Sequence, residues 1–168
     1  MQNREVILDI LRKSYQIEAD GHTFYAMTAA RASKPAVQEL FEKLAADEVE
    51  HQAFLRQVAT SYDKDGLAAF RTGKASDWSA ISQAIFTGKF REQAAGSEFE
   101  MAALSIGMTL ENNAITYFSG AASQATDAEV RTFYQFLADW EKQHLEALRN
   151  LYNSVRQDFW SGGGFSPF

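Results

Sequence analysis

Cysteine is missing from the 168-residue chain. That excludes a disulfide framework, a thiol nucleophile, a cysteine-held iron–sulfur cluster and a cysteine-ligated zinc finger. Proline is nearly missing too, with only Pro35 and Pro167, so long helices meet few breakers. No apolar run approaches the ~20 residues a membrane span needs. The opening Met1-Gln2-Asn3-Arg4-Glu5 lacks the basic head and apolar stretch of a secretory signal. Positive charge is in deficit, with 16 Lys+Arg against 22 Asp+Glu and a net charge of −6. That balance speaks against a nucleic-acid partner. What is present is a 46% hydrophobic content, enough for one domain with a sizeable core and no staple. The expectation is a soluble cytoplasmic protein with no membrane or nucleic-acid partner.

Apolar residues recur at steps of three and four, the period of helices rather than strands. Four long helices can be drawn. The first runs from about Glu5 to about Ala32, with a stripe of Ile7, Leu11, Tyr15, Glu18, Gly21, Tyr25 and Thr28. Ser33-Lys34-Pro35 breaks it, and Pro35 suits the first turn of the next helix. The second runs from about Ala36 to about Tyr62, with Val37, Phe41, Leu44, Glu48, His51, Leu55, Val58 and Tyr62 on one face. The third starts at a capping box, Ser97-Glu98-Phe99-Glu100, and carries Leu104, Gly107, Glu111, Ala114, Phe118 and Ala121. The fourth starts at a second box, Thr126-Asp127-Ala128-Glu129. Its stripe is Val130, Tyr134, Leu137, Glu141, His144, Leu148, Leu151 and Val155.

Residues 63–97 form the one long connection, and Asp77 to Phe86 reads as a short helix within it. A helix of ~26 residues is ~39 Å long, and a crossover running the length of a bundle needs such a segment. The bundle is therefore expected over 1–158. Residues 159–168, with three consecutive glycines before Phe165, read as a flexible C-terminal tail.

The stripes are copies of one another. A shift of 93 positions lays the first two helices on the last two without a gap, and between Glu18 and Arg56 11 of 39 positions are identical. Among the pairs are Glu18/Glu111, Glu48/Glu141 and His51/His144. The fold class is all-α: a four-helix bundle of two repeated hairpins with a pseudo-twofold axis.

The polar residues on these apolar stripes carry the chemistry. Glu18 and Glu111 interrupt the first and third stripes. Glu48 with His51, and Glu141 with His144, interrupt the second and fourth as Glu-x-x-His, one turn apart on one face. Four helices thus bring four carboxylates and two imidazoles to one level of the core. Without partners that cluster is very costly. Two divalent cations would balance it, with two Glu bridging them and each ion also taking one terminal Glu and one His. Oxygen and imidazole donors suit iron or manganese, with zinc as an adventitious occupant.

Other stripe residues leave more than one reading open. Tyr25, two turns from Glu18, is placed to hydrogen-bond a ligand carboxylate, to supply an electron, or to fill the core. His22 reads as a surface or supporting residue. Gly21 and Ala114 leave room for dioxygen or peroxide, or let helices approach closely. Met27, Met101 and Met108 read as packing.

At Glu18-Ala19-Asp20-Gly21-His22-Thr23-Phe24-Tyr25, Glu48-Val49-Glu50-His51, Glu111 and Glu141-Lys142-Gln143-His144, the chain resembles the rubrerythrin-like branch of the ferritin-like superfamily. The resemblance covers about residues 5–157. It implies a ferritin-like bundle, a centre of two iron ions and oxidation by dioxygen or hydrogen peroxide, and it puts a tyrosine in the place of Tyr25 against a ligand carboxylate. Two departures stand out. Typical rubrerythrins carry an extra Glu where this chain has Ala114, and a four-cysteine rubredoxin domain that has no counterpart here. The remaining ligand set is similar to the symmetric site of bacterioferritin. Three functions follow as expectations. The first is a di-iron oxidoreductase served by a separate electron-donor protein. The second is a ferroxidase or iron-handling protein, and the third a metal-binding bundle without turnover. A homodimer is expected from base rates.

Overall fold

The computed structural model describes residues 4–66 and 98–162. Four helices make up these residues: α1 (Arg4–Arg31), α2 (Pro35–Asp65), α3 (Glu98–Gln124) and α4 (Ala128–Gly162). The all-α expectation is met, and the buried positions of α1 and α3 follow the stripes closely. The short helix expected from Asp77 to Phe86, the capping role of Ser97 and the end of the tail lie outside the described residues.

Helix ends depart from expectation by a few residues, for local reasons. Pro35 sits in the first turn of α2 as expected, where its missing N–H costs nothing. The helix then runs past Tyr62 to Asp65, because nothing in Asp63-Lys64-Asp65 stops it. Gly66 does, at φ +62°, with its N–H donating to the carbonyl of Tyr62. An L side chain rarely takes that backbone conformation, and glycine takes it freely. At the start of α4 the cap is Asp127 rather than Thr126. The Asp127 carboxylate accepts from the backbone N–H groups of Glu129 (2.8 Å) and Val130 (3.2 Å), satisfying two otherwise orphaned donors. α4 continues to Gly162, so the expected boundary of the tail at 159 falls inside the helix. Phe159-Trp160-Ser161 carries no breaker, and the glycines begin only at Gly162.

Two apolar clusters hold the helices together. One joins Tyr25 and Ala29 of α1, Val37, Leu40, Phe41 and Leu44 of α2, Ala103 and Leu104 of α3, and Leu148, Leu151 and Val155 of α4. The other joins Ile7 and Leu11, Leu55 and Val58, Phe118 and Ala122, and Val130, Phe133 and Leu137. Each fully buried Leu, Val or Phe contributes ~1.5–3 kcal/mol of transfer free energy. The membership fixes the topology. The end of α1 and the start of α2 share a pole with the start of α3 and the end of α4. So α1 runs antiparallel to α3, and α2 antiparallel to α4. α2 ends at one pole and α3 begins at the other, as a lengthwise crossover requires. The 93-residue shift also exchanges the clusters: Val37 goes to Val130, Leu44 to Leu137 and Leu55 to Leu148.

Packing is dense within each hairpin, α1 on α2 and α3 on α4, while α1 meets α3 only sparsely. No described helix is long and apolar enough to cross a membrane. Met101 and Met108 pack against the first cluster as expected. Met27 does not: it is 53% exposed, one position off the buried stripe.

Candidate metal centre

Between the two apolar clusters lies a polar layer. Glu18, Glu48, Glu111, Glu141, His51 and His144 are all buried there, none more than 3% exposed. The structure therefore brings all six expected residues together, from four helices. Their donor atoms form two overlapping sets, and a third group joins both imidazoles to Asp47. Glu18, Glu48, His51 and Glu141 offer one group of atoms within 4.8 Å of one another, and Glu48, Glu111, Glu141 and His144 offer the other. Glu48 and Glu141 belong to both.

Both imidazoles turn the same way. Nδ1 of His51 faces Glu18 at 3.0 Å and Glu48 at 3.3 Å. Nδ1 of His144 faces Glu48 at 3.4 Å, Glu111 at 3.5 Å and Glu141 at 3.7 Å. The Nε2 atoms point to the opposite side, where both meet Asp47. His144 Nε2 lies 2.7 Å from Asp47 Oδ2 and His51 Nε2 lies 3.6 Å from it. A carboxylate on Nε2 holds the proton there and leaves Nδ1 basic toward the cluster.

Asp47 was not among the residues picked out from the sequence. The signal was there: it lies four positions before His51, on the same face of α2. Its repeat counterpart is Trp140, which stacks on His51 at 4.1 Å with an interplanar angle of 9°. Phe54 and Phe136 pack against Trp140 and close the α2–α4 side. The other half of the layer is braced by Tyr25, fully buried, whose hydroxyl donates to Glu111 Oε1. Of the three readings open for Tyr25, the hydrogen bond to a candidate ligand carboxylate is observed. Its repeat counterpart, Phe118, has no hydroxyl to offer Glu18. His22 is half-buried and belongs to none of the donor groups.

The electrostatics show what this cluster costs on its own. Burial pushes Glu18 up to about 8, with the Glu48 charge adding to it and the His51 hydrogen bond opposing. Burial and the charges of Glu18, Glu111 and Glu48 push Glu141 far above the usual carboxylate range. Burial also raises Glu111, but the His144 charge and the hydrogen bonds from its neighbours, Tyr25 included, outweigh it and hold Glu111 low. Burial pulls His144 down, yet Glu111 and Asp47 hold it well above its ordinary value. Without a cation the layer therefore keeps protons on Glu18 and Glu141 at neutral pH. Even so, Glu18 Oε1, Glu48 Oε2 and Glu141 Oε1 are buried without a hydrogen-bond partner. Unpaired buried carboxylate oxygens are expensive, and a cation at that point satisfies several together. Four carboxylates and two imidazoles fit two divalent ions of the iron or manganese type.

One side of the layer is open. A cavity of about 310 Å³ enters between α1 and α3 and reaches Glu18, Glu48, Glu111 and Glu141. Gly21 and Ala114 stand beside it. A Cβ on Gly21 would come within 3.0 Å of Glu48 Oε1 and 3.2 Å of its Cδ, so any side chain there displaces Glu48. Gly21 thus protects the position of a candidate ligand.

A search of curated proteins and one of solved structures return no match to the chain. A family model described as Rubrerythrin matches residues 9–152. That span takes in every residue of the polar layer and most of all four helices, so the chain belongs to the rubrerythrin family.

Proposed function

We propose that this protein is a di-iron carboxylate oxidoreductase that reacts with hydrogen peroxide or dioxygen. The observation that carries the reading is the pair of overlapping donor sets with Glu48 and Glu141 in common. Glu18 and His51 would hold one ion and Glu111 and His144 the other, with Glu48 and Glu141 reaching both. Manganese or zinc can be taken by the same donors. Bound iron supplies electrons and Lewis acidity.

The chain's own residues set the conditions. Asp47 fixes the tautomer and the direction of His144. His144 keeps Glu111 ionised, and Tyr25 donates to the same carboxylate and adds to that effect. The two apolar clusters exclude water above and below the layer, which strengthens every charge interaction inside. Glu18 and Glu141, which hold protons when no cation is present, release them as a cation enters. Gly21 and Ala114 leave a small oxidant a way in from the α1–α3 side. Repeated turnover would need an external reductant, and a separate electron-donor protein would supply it.

The test is anaerobic loading with Fe²⁺ followed by rapid mixing with hydrogen peroxide and, separately, with dioxygen, read by absorbance. Fast oxidation by at least one oxidant, and turnover once a reductant is added, is expected. A protein that binds iron and reacts with neither contradicts the reading.

A further inference from the structure

A second hollow lies on the α1–α2 hairpin, and none of the six candidate ligands lines it. It measures about 360 Å³, within the range of small-molecule pockets. Buried Leu11 and Leu55 form its floor, with half-buried Leu8 and Ala59 beside them. Arg12, Tyr15 and Arg56 line it too. The 93-residue shift gives the reason for the hollow. Ala59 goes to Tyr152 and Leu8 to Met101, and both of those larger side chains pack onto the first apolar cluster. Where the second hairpin carries a phenol ring, the first carries only a methyl group. The charge differs as well, since Arg12 goes to Ser105. Arg56 donates to the Tyr15 hydroxyl, and its guanidinium carbon lies 5.0 Å from the centre of the Tyr15 ring, a cation–π contact that steadies it at the hollow. Neither Arg12 nor Arg56 meets a carboxylate among the described residues. Asp9 and Asp20, the acids flanking this stretch of α1, are taken by Lys13 (2.8 Å) and Gln16 (2.8 Å). On a chain of net charge −6, two such cations beside an apolar floor suit an anion with an apolar body.

We propose that the hollow on the α1–α2 hairpin binds a small amphipathic carboxylate, with its apolar body on Leu11 and Leu55 and its head on Arg12 and Arg56. Charge selects this occupant. The planar N–H forks of the two guanidiniums match a carboxylate, a neutral apolar molecule leaves them unused, and an ammonium is repelled by them. Ala59 sets the depth of the site, because a larger side chain there takes the space of the apolar body. The site holds no candidate metal ligand and needs no turnover, so it stands or falls separately from the di-iron reading.

Octanoate is the probe, titrated into the full chain and followed by methyl NMR and calorimetry. Saturable shifts at Leu8, Leu11, Leu55 and Ala59 are expected, with octan-1-ol and octylammonium bound at least tenfold more weakly. Two variants copy the second hairpin into the first. Ala59→Tyr is expected to fill the hollow and abolish saturable binding. Arg12→Ser, at an exposed position, is expected to weaken octanoate about tenfold and to leave octan-1-ol unchanged. It decides the matter if Ala59→Tyr fails to fold. Arg149→Gln, at the repeat counterpart of Arg56 and outside the hollow, is expected to change nothing. Octanoate bound no more tightly than octan-1-ol, or shifts elsewhere, overturns the proposal. Binding to phosphatidylglycerol vesicles with none to octanoate overturns it too, since the face then meets a membrane surface. A dimer that Ala59→Tyr dissociates also overturns it, because a second copy then covers the hollow.

Discussion

Tyr25 and Phe118 occupy equivalent positions in the two hairpins, as do Asp47 and Trp140, and Gly21 and Ala114. The six candidate ligands repeat faithfully, but these surroundings do not. Glu111 is held low by the His144 charge first, with the Tyr25 hydroxyl adding to it, whereas burial takes Glu18, which has no tyrosine donor, up to about 8. His144 has Asp47 at 2.7 Å, whereas His51 has it only at 3.6 Å and leans on Trp140 instead. The duplication has thus kept the donors and divided the supporting tasks. In the first two pairs one member hydrogen-bonds a candidate ligand and the other packs as an aromatic ring. Two ions held this way would sit in unequal surroundings.

The comparison can be broken most severely at the residues common to both donor sets. Glu48→Ala and Glu141→Ala are expected to reduce metal content from two ions per chain to one or none, and to similar extents, because the repeat makes them equivalent. Metal analysis after dialysis reads this. Glu141→Gln has a second consequence. The metal-free layer already keeps a proton on Glu141, so the neutral amide is expected to leave the Tm of the metal-free variant nearly unchanged, while the metal-loaded variant loses the stabilisation that bound metal gives.

Asp47 and Trp140 sharpen the asymmetry next. Asp47→Asn keeps the shape but loses the charge on His144 Nε2. It is expected to weaken metal binding ~10–100-fold, as removal of such supporting partners does. Trp140→Phe keeps an aromatic ring on His51 and is expected to stay within a few-fold of wild type. Equal losses in the two variants would say that the halves are not specialised.

Tyr25→Phe removes one buried hydrogen bond to a charged acceptor. The expected cost is ~1.5–3 kcal/mol in denaturant unfolding of the metal-free protein. Phe118→Tyr, its mirror, is expected to cost less, since a hydroxyl there can serve Glu18.

The smallest effect is on pH. Glu18 titrates near 8 in the folded chain against an ordinary value of 4.5. Between those values the folded chain binds more protons than the unfolded one, so stability falls as pH rises. His144, held above its ordinary 6.5, adds stability below that value, and this is lost as pH climbs through its raised folded value. Tm of the metal-free protein is therefore expected to drop by a few degrees from pH 6 to pH 9. Metal-loaded protein, whose ligand carboxylates carry no protons and whose imidazoles are neutral, is expected to show little of that drop.

The six donors were legible in the sequence because each is polar on an apolar stripe and each has a repeat partner. The family resemblance pointed to the same residues. Asp47 was harder to see, since the stripe through Leu44, Glu48 and His51 passes it by, and only packing shows Asp47 turned inward under both imidazoles. Trp140 lies off the stripe drawn for the fourth helix, and only packing shows its ring lying on His51. Which imidazole nitrogen faces the carboxylates depends on side-chain rotation, which residue spacing does not encode. Helix ends slipped where polar residues without breakers continued a helix, as at Asp63 to Asp65, or where Asp127 took the cap from Thr126. The α1–α3 cavity was foreshadowed by two small residues, Gly21 and Ala114, which stand beside it.

The central claim is that one chain holds two ions through donors from four helices. Anaerobic titration of the metal-free protein with Fe²⁺, followed by Mössbauer spectroscopy, tests it most directly. The account predicts saturation at two iron ions per chain with two distinguishable ferrous environments, and loss of this stoichiometry in Glu48→Ala. Saturation at one ion or none, or an unchanged two in Glu48→Ala, would contradict it.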